Sequence, residues 1–136
     1  MQMVAIDHLG IAVWDLDAAL AVYEQLLGAP GIRESLPERQ LEIAFISVGE
    51  SRIELLRPTS ADSAVAGFLE KRGEGLHHVA YRVADIAAVL QRARAAGLRL
   101  VDEIARPGAH GTLVGFVHPS SLHGVLTEFV QVLEED

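Results

Sequence analysis

The sequence predicts an α+β fold in which two βαβββ modules pair into a curved, cleft-enclosing mixed sheet. Three observations predict it. Ile6-Asp7-His8-Leu9-Gly10-Ile11-Ala12-Val13 near the start has a partner at Leu76-His77-His78-Val79-Ala80-Tyr81-Arg82-Val83, and each is a short apolar run holding a histidine. Each half closes on an apolar strand with a glutamate inside it, Ile53-Glu54-Leu55-Leu56 and Leu126-Thr127-Glu128-Phe129-Val130. Between those ends the apolar period switches from two to 3.6 and back, which marks a helix inside a run of strands.

Taken in order, residues 3–13 alternate and carry Val4, Ile6, Ile11 and Val13, as a half-buried strand does. Asp15 or Asp17 caps a helix whose apolar face is Leu16, Leu20, Tyr23, Leu26 and Leu27, and Gly28 ends it. Residues 31–37 read as a short strand and turn, and residues 41–48 as a strand. Gly49-Glu50-Ser51 turns the chain into a hairpin partner at 52–57, closed by Pro58. The connector 59–75 offers caps at Thr59–Ser63, a helix at 64–71 and breakers at Gly73 and Gly75. The second module follows, with a strand at 76–83 and a helix from the Asp85 cap through Ala96 to Gly97. A short strand at 98–102, a loop at 106–111, a strand at 113–118, a turn at 120–124 and a strand at 125–132 complete it. The expected organisation is one domain, 1–136, with modules at 3–58 and 76–133 and a solvated acidic tail, Glu134-Glu135-Asp136.

The 136 residues are 50% hydrophobic, enough for one core. With no cysteine, any metal must sit on His, Asp or Glu. A net charge of −8 and a single lysine, Lys71, argue against nucleic acid. No run approaches the roughly 20 apolar residues of a membrane span, and the start lacks the pattern of a signal peptide. The expectation is a cytoplasmic protein with no membrane partner.

His8 and His78 hold matched places in their strands, and so do Glu54 and Glu128. A glutamate flanked by apolar residues is costly to bury unless it is paired or bound to a cation. Two imidazoles and two carboxylates suit a borderline divalent ion: Co²⁺ first, with Ni²⁺, Mn²⁺ or Zn²⁺ as alternatives. Against this stands the commoner role of a strand histidine as a hydrogen-bonded structural residue. Glu42 is a further carboxylate in an apolar strand; alternation groups it with Ala44 and Ile46, and it is a candidate general base. His77 is expected on the opposite face from His78, in a structural role. His110, in a glycine-flanked loop, is a candidate substrate contact; His118 and His123 bracket the last turn. Arg57, Lys71, Arg72, Arg82 and Arg106 are candidate contacts for an anionic substrate.

The chain resembles the vicinal oxygen chelate superfamily (glyoxalase/bleomycin resistance/dioxygenase). The broadly shared part is Asp7-His8-Leu9-Gly10-Ile11-Ala12-Val13 with Tyr23 and Leu27-Gly28. Closer to the methylmalonyl-CoA epimerases within it are Ile53-Glu54-Leu55-Leu56-Arg57-Pro58, the connector Asp62–Leu69 running on to Gly75–Val83, and Gly108-Ala109-His110-Gly111. Phe116-Val117-His118-Pro119 and Gly124-Val125-Leu126-Thr127-Glu128 belong with these. The resemblance implies a glyoxalase-like fold with metal ligands at His8, Glu54, His78 and Glu128. It implies a metal-dependent epimerase acting on an acyl-CoA, with proton transfer by Glu42 and Glu128, and a homodimer. The alternatives are a glyoxalase I-like lactoylthiol lyase and a non-catalytic small-molecule-binding protein of the same fold.

Overall fold

Alternation of apolar and polar residues builds the first strand, β1 (Met3–Ala12), and Asp15 then starts the first helix, α1 (Leu16–Leu27). The structure, a computed structural model, describes residues 3–133. The acidic tail expected at 134–136 lies outside them. The chain divides into two compact units, one His8–His77 and the other the residues up to Asp7 together with those from His78 on.

In the His8–His77 unit, α1 begins where the Asp15 carboxylate accepts the Ala18 N–H at 3.1 Å, filling one orphan donor of the first turn. It ends at Gly28, whose φ of 67° is left-handed and costs a glycine little. Strands β2 (Ile32–Leu36), β3 (Leu41–Val48) and β4 (Ser51–Pro58) follow, with a single 3₁₀ turn, Pro37–Arg39, before β3. Their order is β2-β3-β4-β1, antiparallel except for the parallel β4–β1 pair. Val13, Leu16, Leu20, Ala44, Ile46 and Leu55 close the core beneath α1. A Cβ at Gly31 would meet Leu20 Cδ1 at 2.4 Å, so any side chain there makes the end of Leu20 shift. Helix α2 (Ala64–Arg72), capped by Ser63, forms the connector.

In the other unit, β5 (Gly75–Val83) leads to α3 (Ile86–Ala95), then β6 (Arg106–Pro107), β7 (Thr112–Val117) and β8 (Thr127–Val132). The order is β5-β8-β7-β6, with β5 and β8 parallel. Both units therefore write β-α-β-β-β. Helix α3 packs Val83, Ile86, Val89 and Leu90 into the second core, with Leu113 and Phe129 against it. Asp7 belongs to this unit: it is 1% exposed and accepts from Arg82 Nε at 2.9 Å.

The expected strand at 98–102 is not formed. Val101 and Asp102 both donate to the single Phe116 carbonyl, and the Asp102 carboxylate takes the Phe116 N–H at 2.8 Å. A side chain thus fills the place of the next ladder bond, leaving only the bridge between Leu100 and Val117. The strand that pairs there is β6, inside the segment expected as a loop; it is two residues long and ends at Pro107, which has no N–H to donate. The last strand starts at Thr127 rather than Val125, because Val125 N–H is turned back to Leu122 O. No described helix is long and apolar enough to cross a membrane.

The α3 cap gives a stability test away from the site. Asp85 accepts the Ala88 N–H at 3.2 Å, so Asp85→Ala is expected to cost about 1 kcal/mol and lower Tm by about 4 °C, with Asp85→Asn near the parent. An Ala variant melting with the parent would show that the cap contributes nothing.

Candidate metal centre

In the His8–His77 unit, parallel pairing sets His8 beside Arg52 and Gly10 beside Glu54. Cross-strand partners point to the same side, so His8, Arg52 and Glu54 share one face. Their spacing brings His8 Nδ1 to 3.2 Å from Glu54 Oε2. Both residues are buried. Directly across from Glu54 on β3 stands Phe45, also buried.

The second unit repeats the arrangement with its own residues. Glu128 on β8 pairs in register with Ala80 on β5, and His78 lies two residues before Ala80 on the same face. His78 Nε2 is 3.0 Å from Glu128 Oε1, and both side chains are only 4% exposed. Phe116 stands across from Glu128 on β7, and its ring meets the His78 ring edge-on at 5.3 Å between centroids. Such a contact fixes an imidazole's plane as well as excluding water.

Each unit thus buries one imidazole and one carboxylate in contact, on the sheet face turned away from its helix. Burying a carboxylate among apolar side chains is expensive without a cation or strong hydrogen bonds. These donors are compatible with a divalent metal ion, and nitrogen with carboxylate oxygen is the chemistry a transition ion takes. Phe45 and Phe116 went unnoticed in the sequence. The signal that finds them is the repeat itself, since each sits across from its unit's glutamate.

Glu42 stands elsewhere. It is three residues from Phe45, so it emerges on the opposite face of β3 from the partner of Glu54. It does share its face with Ala44 and Ile46, as alternation requires, but that face is the one α1 covers. The register therefore sets Glu42, for which the resemblance implies proton transfer, on the face opposite the His8–Glu54 pair. It lies 3.7 Å from Arg57 in a charged groove of about 540 Å³ lined by Trp14, Asp15, Leu16, Asp17, Arg33, Glu42 and Arg57. There Arg33 also pairs with Asp17.

The other candidates are scattered. Arg82 holds Asp7, Arg106 Nε lies 3.2 Å from Asp102, and Arg72 lies over the Phe68 ring. Lys71 is exposed in the last turn of α2. His77 packs edge-on against Phe68 at 4.9 Å, a structural contact. His118 Nδ1 accepts the Ser120 N–H and caps a 3₁₀ turn, Pro119–Ser121. His110 and His123 are exposed and take left-handed backbone, with φ of 56° and 58°.

The family model of the Glyoxalase/Bleomycin resistance protein/Dioxygenase superfamily matches residues 7–116. The chain is 42% identical over 130 residues to the ethylmalonyl-CoA/methylmalonyl-CoA epimerase of Cereibacter sphaeroides, covering 93% of this chain and 97% of that one. It is 40% identical to the mitochondrial methylmalonyl-CoA epimerase of Bos taurus, over 93% of this chain and 73% of that one. The fold matches the Streptomyces coelicolor methylmalonyl-CoA epimerase in complex with 2-nitronate-propionyl-CoA, with a TM-score of 0.93, 38% identity and 96% of each chain covered. With both modules, both buried His–Glu pairs and these likenesses, the chain belongs to the Glyoxalase/Bleomycin resistance protein/Dioxygenase superfamily and has its glyoxalase-like α+β fold.

Proposed function

We propose that this chain is a metal-dependent epimerase that interconverts (2R)- and (2S)-methylmalonyl-CoA. The observation that carries the reading is the pair of buried His–Glu contacts, in a chain similar over 93% of its length to epimerases of that substrate. His8, Glu54, His78 and Glu128 would hold one divalent ion, Co²⁺ by first choice and Ni²⁺, Mn²⁺ or Zn²⁺ otherwise. The ion, when bound, supplies positive charge to the substrate oxygens as the enolate develops.

The residues do the rest. A proton between a thioester and a carboxylate is acidic for carbon but still needs a placed base. Glu128 takes that proton: the C–H bond breaks, its electron pair moves into the thioester carbonyl, and the α-carbon becomes planar. Return of a proton from solvent on the opposite face inverts the centre, and Glu128 gives up the proton it took to solvent. Phe116 and Phe45 keep the two carboxylates dry. On this reading Glu42, on the α1 side of β3, is given no part in the proton transfer. A cytoplasmic homodimer belongs to the same proposal, and the exposed apolar side chains Met3, Val4 and Ile6 on β1 suit a covered surface.

Proton exchange at the α-carbon of methylmalonyl-CoA in D₂O tests this directly. Exchange is expected with metal, is expected to stop on chelation, and should return when Co²⁺ is added. A protein that exchanges nothing under any of the four ions is not this epimerase. Glu128→Gln is expected to slow exchange about 10²–10⁴-fold. Glu42→Gln is expected to stay within about twofold of the parent, because it does not reach the reacting face; a hundredfold loss there would return it to the mechanism.

A further inference from the structure

We propose that Asp102 is a positioning residue for the His78–Glu128 pair, acting on it through Phe116. The inference deepens the epimerase reading, in which that pair helps to hold the metal ion, and rests on it. Asp102, Phe116, His78 and Glu128 all lie in the unit that runs from His78 on.

In an antiparallel ladder a residue's N–H and carbonyl point to the same side. The Phe116 N–H goes to Asp102 Oδ2 at 2.8 Å, and its carbonyl accepts from Val101 at 2.9 Å and from Asp102 at 3.2 Å. Both groups therefore point away from β8. Phe116 and Glu128 are then cross-strand partners without backbone hydrogen bonds between them, the kind whose side chains approach most closely. The Phe116 ring also meets the His78 ring edge-on, and His78 Nε2 lies 3.0 Å from Glu128 Oε1. The anchoring of Phe116 thus sets where the aromatic wall of the pair stands.

The two units anchor that wall differently. Phe45, across from Glu54, has a strand on its far side, with Ile32 of β2 as its partner. On the far side of β7, β6 pairs only with Val114 and Leu113. Beside Phe116 the place of a strand is taken by the Leu100–Val117 bridge and the Asp102 carboxylate. A charged acceptor makes a stronger bond to an N–H than a neutral carbonyl does. Arg106 Nε lies 3.2 Å from Asp102 Oδ1, so each carboxylate oxygen has its own donor, and the Asp102 side chain is only 14% exposed. The device matters because an imidazole donates its lone pair in the plane of the ring. A ring tilted by more than about 10–20° no longer aims that pair at an ion.

The test uses the full chain with Co²⁺ as the probe. Asp102→Ala is expected to raise the Co²⁺ Kd about 10–100-fold and to alter the visible spectrum of bound Co²⁺. It is also expected to shift the His78 ring signals in the NMR spectrum of the metal-free protein. Asp102→Asn keeps an oxygen for the Phe116 N–H and should bind Co²⁺ within about threefold of the parent. Phe116→Leu, which removes the ring and keeps the backbone bond, should weaken Co²⁺ binding as Asp102→Ala does. Asp85→Ala loses a helix cap away from the pair; it should lower Tm while Co²⁺ affinity and the His78 signals stay parental. Parental Co²⁺ affinity and His78 signals in Asp102→Ala overturn the assignment. So does equal weakening by Asp102→Ala and Asp85→Ala, or an Asn variant as weak as the Ala one. A parent protein that binds Co²⁺ without exchanging the α-proton sinks the epimerase reading alone, since the Kd ratio still judges Asp102. If the parent binds none of the four ions, the metal reading fails, and the His78 signals of the metal-free variants judge Asp102 by themselves.

Discussion

A carboxylate buried against an imidazole on an apolar sheet face is the constraint around which both units are organised. Glu54 and Glu128 sit among leucines, valines and phenylalanines, where an unpaired charge would be untenable. Each is met by a histidine nitrogen from a parallel neighbouring strand. Parallel pairing matters here. It sets the histidine strand and the glutamate strand in fixed register, while β3 and β7 close the other side with a phenylalanine. The pair is therefore placed by backbone hydrogen bonds, and the side chains have little left to search.

The two faces of each sheet do different work. One receives the helix and holds the core: Leu16, Leu20, Ala44, Ile46 and Leu55 in one unit, Ile86, Val89 and Leu90 in the other. The opposite face carries the donors. A residue's parity along its strand thus decides whether it packs beneath the helix or joins the face that holds the buried His–Glu pair. Glu42 and Arg57 fall on the helix side, while Arg52 falls on the donor side. One residue of slip in β4 would exchange those roles and bury the wrong charges.

Two carboxylates outside the His–Glu pairs have arginine partners that tie down the strands nearby. Asp7, next in sequence to His8, accepts from Arg82 and is almost wholly buried. Breaking such a pair would leave an isolated buried carboxylate, which is far costlier than the pair's own net contribution. Asp102 accepts the Phe116 N–H and has Arg106 beside it, tying the 98–106 segment to the strand whose ring faces His78. These contacts anchor the strands that carry the donors.

The repeat was legible in the residues alone. His8 and His78 occupy equivalent strand places, Glu54 and Glu128 likewise, and the caps at Asp15 or Asp17, within Thr59–Ser63 and at Asp85 mark helix starts, because period and capping are local properties of the chain. The failures were equally local in origin. The 98–102 segment has strand-like residues, but the Asp102 side chain takes the bond a ladder would need, and no propensity encodes that competition. Glu42 and Phe45 both look at home in an apolar strand; which of them faces Glu54 is a matter of pairing register, set by contacts with β4. The same holds for Arg52, indistinguishable in sequence from Arg57 until β1 aligns beside it. Sequence by itself determined which histidines and glutamates hold matched strand places and the order of elements within each module, because those follow from residue type and local period. Tertiary structure alone decided which neighbours share the donor face, because a side chain's direction becomes meaningful only when its strand is hydrogen-bonded to another.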